Sequence, residues 1–453
     1  MNGTVNGSAH ENHTNGTGRT IFDAVSARIP SRAALAVKLM TKYRDSPIQE
    51  VTVENVMNGM RGLQCILWEI SETGATGIRH HGKSLQELEA LLPKWPGSTQ
   101  MSPEAMLWYL YTATVPTPAE VQTFAAEISA RAELPLEAQT FFDSLPTNIL
   151  PEAQVIMMLT FLSQYSKFNT AVSSGVSKDE LWRYSLEDAL DVAGRIPLIV
   201  GRAYAKGKGL STKAGFSPSS DLAHNFARLI GKDSDLDFIE FTRLCWCLYL
   251  DHGSSVSSHA MRLVGSAWSE PYTTIATGIV GGTGPLHAKA IADSVNFNLD
   301  VMSSLGAAPT KDEIFTYVGN CLTQGQIIPG YGHALLRVPD PRLELLRRFL
   351  DTHPSSDPKV HSFLSLIRNM NDNVPDLLRE RVRGMKNPHP NGDALNGCIL
   401  HAYGLPTEYL LCFFACSRAM GFMSQYIWDR ALGLSMERPL SLTMDELLAK
   451  VQK

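Results

Sequence analysis

The sequence predicts an all-α protein, and three observations lead to that fold class. Capping boxes precede apolar residues at helical spacing, alternating strand patterns are scarce, and no repeat of fixed period occurs. Of the 453 residues, 44% are hydrophobic and 19% are charged, which is typical of globular proteins. The length exceeds that of a single average domain. We therefore expect a packed helical protein with more than one domain.

The clearest helix starts are three capping boxes. Thr117–Glu120 places proline at the first helical position and is followed by apolar residues on one helical face. Thr310–Glu313 and Thr443–Glu446 repeat the pattern, and Gly325 is placed to end the second of these helices. These segments predict helices whose boundaries are set by local side-chain chemistry.

Three other stretches are expected to lie outside helices. Glu50–Val53 is a brief strand candidate because its apolar residues alternate. Leu145–Thr147 and Gly194–Pro197 carry proline or glycine, so we expect both to be short loops between helices.

Residues 1–20 are rich in Asn, Gly, Thr and His and contain almost no apolar residues, so we expect a disordered tail. The tail lacks a hydrophobic signal segment and the Arg-rich pattern of a mitochondrial presequence. The C-terminal Val-Gln-Lys is not the usual peroxisomal signal. These features predict a cytoplasmic protein.

The charge and the cysteines restrict the possible partners. The formal net charge is -5, without a dense basic tract, which argues against nucleic acid or an anionic membrane as a partner. The apolar runs fall short of the roughly 18 residues that a membrane span needs. The seven cysteines form no Cys-x-x-Cys pair and lie mostly in apolar runs, so we expect buried free thiols.

Three glycine- and proline-containing stretches carry the candidate chemistry. Gln324–Arg342 combines flexible glycines with a histidine that leads into a helix, as a ligand-binding loop does. Gly281–Ala288 again leads from glycines and a proline to a histidine, and Lys386–Ala394 ends in an aspartate ahead of an apolar helix. Taken singly, each stretch also fits an ordinary turn or helix cap.

Taken together, the three stretches resemble the citrate synthase family. The shared motifs are Gly-Pro-Leu-His, Pro-Gly-Tyr-Gly-His-Ala-x-Leu-Arg-x-x-Asp-Pro-Arg and Lys-Asn-Pro-x-Pro-Asn-x-Asp-Ala, in the family's order and spacing. The likeness runs from about Phe22 to the C-terminus. It implies a mostly helical homodimer with shared active sites, a large domain of residues 21–287 and 399–453, and a small domain of residues 288–398 that closes over the substrates.

The resemblance also implies a reaction and its catalytic residues. The family joins the carbon beside a thioester carbonyl to the ketone of oxaloacetate and then hydrolyses the thioester. On this pattern Asp393 is the general base that removes the thioester's alpha proton, and His287 hydrogen-bonds the carbonyl as it becomes an enol. His333 is the acid that polarises the ketone. Two histidines and an aspartate acting together would supply much of the acceleration, with no bound cofactor and with acyl-CoA as cosubstrate.

Binding residues follow from the same resemblance. Oxaloacetate is a dianion, and arginine side chains bind carboxylates well. The family pattern assigns it to His252, Arg342, Arg418 and Arg438, the last reaching in from the neighbouring subunit. The residues assigned to coenzyme A and the acyl group are Ile327, Ile328, Pro329, Gly330, Tyr331, Gly332, Lys386, Asn391 and Phe414.

The sequence departs from the family pattern around the predicted acyl site. The stretch around His252 is short and lacks the usual Glu-Gly-Gly, Ala288 replaces a glycine, and Gly392 replaces a valine. His389 replaces the aromatic residue between the two prolines, and Leu395–Gly397 replaces His-Ser-Gly. Because each buried methylene contributes about 0.8 kcal/mol, a few such changes could alter the preferred acyl chain.

Three readings of function therefore remain open. The first is an alkylcitrate synthase that takes a medium-chain acyl thioester, resembling the cytosolic citrate synthase-like enzymes of fungal secondary metabolism. The second is an ordinary citrate or 2-methylcitrate synthase. The third is a catalytically silent dimeric scaffold or ligand-binding homologue. The preferred acyl chain separates the first two, and oxaloacetate binding without turnover would support the third.

Overall fold

The computed structural model describes residues 18–332 and 336–452. The fold is mostly helical, with 63% helix and 3% strand, and the predicted fold class is confirmed. The α-helices in the described ranges are α1 (Ile21–Lys42), α2 (Val53–Met57), α3 (Leu85–Leu91), α4 (Pro103–Thr112), α5 (Pro118–Ala130), α6 (Leu136–Ser144), α7 (Pro151–Leu162), α8 (Lys167–Ser173), α9 (Leu181–Gly207), α10 (Leu222–Leu229), α11 (Leu236–Tyr249), α12 (Val256–Ser266), α13 (Pro271–Gly282), α14 (Lys289–Leu305), α15 (Lys311–Thr323), α16 (Pro341–Thr352), α17 (Pro358–Arg381), α18 (Asn396–Ala402), α19 (Leu410–Ala431) and α20 (Met444–Val451).

The predicted capping boxes are confirmed. Thr117, Thr310 and Thr443 each accept a hydrogen bond from the backbone amide three residues on, and the glutamate at that position bonds back to the cap. Gly325 follows the end of α15 with a φ of +75°, a conformation that favours glycine. The loop at Leu145–Thr147 is also confirmed.

The expected break at Gly194–Pro197 is wrong, because these residues lie inside α9. Proline removes only one helical hydrogen bond, and tertiary contacts outweigh that loss. A Cβ at Gly194 would lie 2.6 Å from the carbonyl oxygen of Ile128, so the glycine lets α5 approach α9 closely. The glycine serves helix packing rather than a turn.

The strand candidate at Glu50–Val53 is also wrong. The side chain of Thr52 instead accepts a hydrogen bond from the amide of Asn55 and begins α2. The strands of the described residues are β1 (Ser71–Gly74), β2 (Gly77–His80) and β3 (Lys83–Ser84), which form one antiparallel sheet in the order β1-β2-β3. They are too short to show a clear alternation in the sequence.

Two clusters of buried apolar side chains organise the fold. The larger includes most of α4, α9, α11 and α19 and also takes in residues of α16 and α18. The smaller joins α14, α15 and α17 through residues such as Val301, Val318 and Val374, all within residues 288–398. The division into a large and a small domain stays a prediction. Of the expected disordered tail, residues 1–17 lie outside the described residues.

Helix α19 runs through the larger cluster. The segment Thr407–Ala431 has the length and hydropathy of a membrane span, but 89% of its apolar window is buried inside the protein. Gly421 allows α19 to touch the end of α11, because a Cβ there would overlap the carbonyl oxygen of Leu250. The cysteines in the described ranges are unpaired, and Cys245, Cys247, Cys398, Cys412 and Cys416 are buried, as expected for most of the set.

Candidate active site

A cavity of about 2100 Å³ opens between α13, α19, the α11–α12 loop and the segment that precedes α18. Nine of the predicted site residues line it: His252, His287, Gly332, Arg342, Lys386, Asn391, Asp393, Phe414 and Arg418. They come from five separate parts of the chain. The fold therefore brings most of the predicted site together in one place.

Asp393 lies in a 3-10 turn, Gly392–Ala394, whose start is held by Asn391. The Asn391 Oδ1 atom accepts hydrogen bonds from the Asp393 amide at 2.9 Å. Burial raises the pKa of Asp393 above its ordinary value, although the nearby Arg342 guanidinium opposes this shift. A carboxylate with raised proton affinity is suited to act as a general base.

Arg342 is buried beside Asp340 at the start of α16. The Asp340 Oδ2 atom accepts hydrogen bonds from Arg342 Nη2 at 2.6 Å and from the Gly392 amide at 3.0 Å. Burial opposes ionisation of Asp340, but Arg342 outweighs that effect and the pKa of Asp340 falls to about 2. This ion pair anchors the turn that carries Asp393 to the start of α16.

Arg418 projects from α19 into the same cavity. Its Nη1 atom is buried and has no hydrogen-bond partner in the part of the chain that the structure describes. Burial lowers the pKa of Arg418 to about 10, while the nearby Asp251 carboxylate partly opposes that change. The side chain still carries its charge at neutral pH, so a buried cationic donor faces the cavity with capacity for an anion.

His287 lies in the loop between α13 and α14 and is half-buried. Its Nε2 atom is 2.9 Å from the hydroxyl of Ser257 on α12. Burial, and next the charge of Arg418, lower the pKa of His287, so the imidazole is neutral at neutral pH. Ser257 was missed from the sequence, because 30 residues separate it from its histidine and no local motif marks it.

His252 is buried in the shortened loop after α11, and this loop is tied to β1. The Asp251 carboxylate accepts hydrogen bonds from the Ser71 hydroxyl and from Trp68 Nε1, and the Gly253 amide donates to Ser71 Oγ at 3.2 Å. A side chain at Gly253 would overlap the Trp68 ring. The loop that lacks Glu-Gly-Gly is therefore held in place by contacts with β1 and Trp68.

The ligand loop and the segment before α18 hold each other through backbone hydrogen bonds. Gly332 N donates to His389 O at 3.0 Å, and Asn391 N donates to Gly330 O at 2.9 Å. Gly330 has a φ of +83°, and a Cβ there would lie 2.8 Å from Ala394 Cα. Two of the three sequence motifs thus form one unit, in which glycine is required by both conformation and space.

Several predicted residues do not line the cavity. Arg438 is exposed in the segment after α19, and Ile327 is 82% exposed, whereas Ile328 is buried in the smaller cluster. The Tyr331 hydroxyl donates to Asn371 Oδ1 at 3.1 Å. Pro329 and Gly330 support the loop without lining the cavity. His333 lies outside the described residues.

Sequence reasoning also missed four features of the cavity wall. Tyr249 lines the cavity, and Arg61, Arg79 and Arg337 are exposed residues of its lining, as is Lys386. Tyr249, Arg61 and Arg79 belong to no motif, and Arg337 lies in the ligand-loop motif without an assigned role, so only the fold brings the four together. The described residues contain no group of three or more His, Cys, Asp or Glu that could hold a metal ion.

Comparison with known proteins shows which family the chain belongs to. A family model described as "Citrate synthase, C-terminal domain" matches residues 59–440. The chain belongs to the citrate synthase family. It is 36% identical to a mitochondrial 2-methylcitrate synthase of Emericella nidulans, an alignment that covers 93% of this chain and 92% of that protein. It is also 36% identical to the peroxisomal citrate synthase of Saccharomyces cerevisiae, over 94% of this chain and 92% of the relative.

Solved citrate synthase structures share the fold. The enzyme of Pyrobaculum aerophilum gives a TM-score of 0.73 at 20% identity and covers 88% of this chain and 97% of its own. The enzyme of Thermoplasma acidophilum, described as a ternary complex with carboxymethyl coenzyme A and oxaloacetate, gives 0.71 at 18% identity, over 85% of this chain and 95% of its own. These members of the citrate synthase family extend the likeness over most of the chain.

Proposed function

We propose that this protein condenses an acyl-CoA with oxaloacetate and releases coenzyme A. The observation that carries the proposal is the convergence of Asp393, His287, Arg342 and Arg418 on one cavity of a citrate synthase-family fold. The cavity combines a carboxylate of raised proton affinity, a neutral imidazole and two arginine side chains. The carboxylate can remove a proton beside a thioester carbonyl, and the imidazole can stabilise the charge that develops on the carbonyl oxygen. The arginines can bind the dianion whose ketone is then attacked.

The arginines supply the binding of oxaloacetate. Arg418 has a buried donor that no described residue satisfies, and Arg342 lines the same cavity with its position fixed by Asp340. A hydrogen bond between charged partners contributes roughly 1.5 to 3 kcal/mol, so two arginines and the neighbouring His252 would hold a dicarboxylate firmly.

The proton transfers are assigned to Asp393 and His287. Asp393 removes a proton from the alpha carbon of the acyl thioester, and His287 donates a hydrogen bond to the thioester oxygen as charge develops there. The alpha carbon then bonds to the ketone carbon of oxaloacetate, and hydrolysis of the thioester releases the thiol. The family pattern gives polarisation of that ketone to His333.

Coenzyme A is proposed to bind at the mouth of the cavity. Arg61, Arg79, Arg337 and Lys386 lie there, and their positive charge suits the phosphates of the coenzyme. The backbone of Ile327–Gly332 stays the proposed site of the adenine, and Gly332, which has no side chain, lines the cavity there.

The acyl chain is proposed to lie between α13 and α19. The facing surfaces carry Ile275, Ile279, Leu411, Phe414 and Phe422, with the small residues Gly278, Gly282, Ala415 and Ala419 between them. This apolar wall supports a medium alkyl chain, since each buried methylene adds about 0.8 kcal/mol. Of the residues that depart from the family pattern, Ala288 and the Gly253–Ser255 stretch line the cavity, whereas His389 and Leu395–Gly397 do not.

An ordinary citrate or 2-methylcitrate synthase is the second candidate, and the names of the relatives favour it. The relatives at 36% identity are called 2-methylcitrate synthase and citrate synthase. On this reading the apolar wall would accept an acetyl or propionyl group. A silent scaffold is less well supported, because an ionisable base beside two buried arginines has a stability cost that an inactive protein need not keep.

A homodimer with shared active sites is part of the proposal. Large apolar side chains are exposed along residues 35–67, including Val37, Met40 and Ile48, and again at Met436, Leu440 and Met444. Such surfaces are typical of protein–protein interfaces. Arg438 lies in the second of these regions, so a dimer that covers them could place it in the partner's cavity.

Cytoplasmic location and a role in secondary metabolism stay predictions. The relatives carry mitochondrial or peroxisomal in their names. Imaging a fluorescent fusion of the full chain would decide the location.

The test is thiol release from purified protein given oxaloacetate and acyl-CoA donors from acetyl through decanoyl. A maximum at hexanoyl to decanoyl would establish the alkylcitrate function, and a maximum at acetyl or propionyl would establish the second candidate. Oxaloacetate binding without thiol release from any donor would contradict both and support the scaffold. Asp393→Asn serves as the matched control for background thioester hydrolysis.

A further inference from the structure

Tyr249, the last residue of α11, is a buried tyrosine whose hydroxyl has no partner among the described residues. The side chain is 4% exposed and lines the cavity. Its ring lies 4.9 Å from the ring of Phe414, and the guanidinium carbon of Arg342 lies 4.7 Å from its centre. Within residues 18–332 and 336–452, the hydroxyl oxygen makes no hydrogen bond. A buried hydroxyl without a hydrogen-bond partner costs free energy of folding. A ligand that offers an acceptor to this hydroxyl would remove that cost.

The position of this hydroxyl explains Gly392. A Cβ at residue 392 would overlap the Tyr249 hydroxyl oxygen and would lie 3.2 Å from the ring carbon that bears it. The Gly392 amide is already bonded to Asp340. The tyrosine hydroxyl therefore sits at the turn that carries Asp393, close to Arg342, in a space that only glycine leaves open.

Burial raises the pKa of Tyr249 well above its ordinary value, with the Arg342 charge opposing the shift only in part. The hydroxyl therefore keeps its proton at neutral pH and is available as a donor. An acceptor beside Arg342 and Arg418 is most strongly favoured when it carries negative charge, since the two arginines also attract it.

We propose that the Tyr249 hydroxyl donates a hydrogen bond to an oxaloacetate carboxylate that Arg342 binds, which makes Tyr249 a further substrate-binding residue. The inference rests on the proposed function, because it takes oxaloacetate as the ligand. Stacking against the guanidinium also restricts the orientation of Arg342. Tyr249 thus contributes both a donor and a wall to the carboxylate site.

The experiment is calorimetric titration of the full-length protein and of Tyr249→Phe with oxaloacetate, followed by steady-state kinetics. Phenylalanine keeps the ring contacts and removes only the hydroxyl. We expect the Kd for oxaloacetate to rise about tenfold or more, with kcat and the KM for acyl-CoA within about twofold. Tyr111→Phe is the matched control. The Tyr111 hydroxyl is buried, donates a hydrogen bond of 3.1 Å to Met420 O, and does not line the cavity. This substitution should leave oxaloacetate affinity unchanged.

Gly392→Ala provides a second variant. The methyl group added in this variant should displace the Tyr249 hydroxyl and weaken oxaloacetate binding. The loss of oxaloacetate affinity should be smaller when Gly392→Ala is introduced into the Tyr249→Phe variant. Equal losses in both backgrounds would overturn the proposed role of the hydroxyl.

The remaining outcomes separate the two proposals. Unchanged oxaloacetate affinity in Tyr249→Phe overturns the inference while the proposed function stands. A lower kcat at unchanged affinity also overturns it, because the hydroxyl then serves Asp393. If the wild-type protein binds no oxaloacetate, the proposed function fails and the inference fails with it.

Discussion

Asp393 lies in a short 3-10 turn and is buried beside the charge of Arg342. Replacing it by asparagine keeps the shape of the side chain and removes the base. We predict that Asp393→Asn lowers kcat by at least about 10²-fold without weakening oxaloacetate binding, because the base acts on the other substrate. Thiol release and calorimetry measure the two effects. Asp376→Asn, an exposed carboxylate in α17, is the control, and near-normal turnover of Asp393→Asn would remove Asp393 from its role.

Arg418 is expected to lower the stability of the ligand-free protein. Burial disfavours the charge of Arg418 and lowers its pKa to about 10. Below about pH 10 the side chain is charged in both the folded and the unfolded state, so the full cost of burying the charge reduces the stability of the folded protein. We predict that Arg418→Met leaves Tm unchanged or raises it, while the rise in Tm that oxaloacetate causes in the wild type is lost. Thermal unfolding with and without oxaloacetate measures both. A lower Tm without ligand, together with an intact ligand shift, would contradict the prediction.

Among the helices, the approach of α19 to the end of α11 depends on Gly421. Its Cβ would overlap the Leu250 carbonyl oxygen, which is backbone and cannot move without moving Asp251 and His252. We predict that Gly421→Ala lowers the free energy of unfolding by about 1 to 3 kcal/mol and reduces activity. The control is Gly319→Ala in α15, where a Cβ would meet no atom within 4 Å. That change should stabilise the protein by about 0.5 to 1 kcal/mol, and denaturant unfolding measures both.

The junction of α4 and α10 contains the buried carboxyl of Glu104. Burial, and next the charge of Asp221, raise its pKa from 4.5 to about 7. Between those values the unfolded chain releases a proton that the folded protein retains, so the stability contributed here falls as pH rises from about 4.5 to 7. Below that window both states are protonated and the effect vanishes.

We therefore predict that Glu104→Gln is more stable than the wild type at pH 8, by on the order of 2 kcal/mol, and that the difference shrinks toward pH 4.5. The glutamine keeps an acceptor for the amide of Leu222, which donates to Glu104 Oε1 at 2.6 Å. Tm measured across pH 4.5 to 8 decides the point, with exposed Glu133→Gln as the control. A difference that is independent of pH would contradict the prediction.

At the scale of the whole molecule, the proposed dimer makes Arg438 a residue of the partner's site. Arg438 is exposed and lies outside the cavity of its own chain. We predict that Arg438→Ala and Asp393→Asn are each inactive alone. Unfolding and refolding equal amounts of the two together should restore about a quarter of the wild-type activity, because about half of the dimers are mixed and one of the two sites in each mixed dimer is intact. No recovery, with mixed dimers present on native mass spectrometry, would place Arg438 outside the shared site.

Local rules explain the parts of this molecule that the sequence predicted. The capping boxes at Thr117 and Thr310 need only residues three apart, and Gly325 needs only its own conformational freedom, so each was predicted without tertiary information. The three motifs predicted the cavity residues because family likeness records their joint position. His287 and Asp393 were found in this way, although each alone resembles an ordinary helix cap or core residue.

Contacts between distant residues decided the rest. Gly194–Pro197 became helix because α5 packs on it, and Glu50–Val53 failed as a strand because Thr52 caps a helix and no partner strand lies beside it. Three contacts join residues that share no local pattern. They are the approach of Tyr249 to Gly392, the hydrogen bond of Ser257 with His287, and the bonds of Asp340 with Arg342 and Gly392. The sequence by itself determined the fold class, the family and the candidate reactive groups, since these depend on neighbouring residues or on shared motifs. Only the tertiary structure decided which charges are buried, which hydroxyl lacks a partner and which glycine must stay small, because burial and close contact belong to the folded chain.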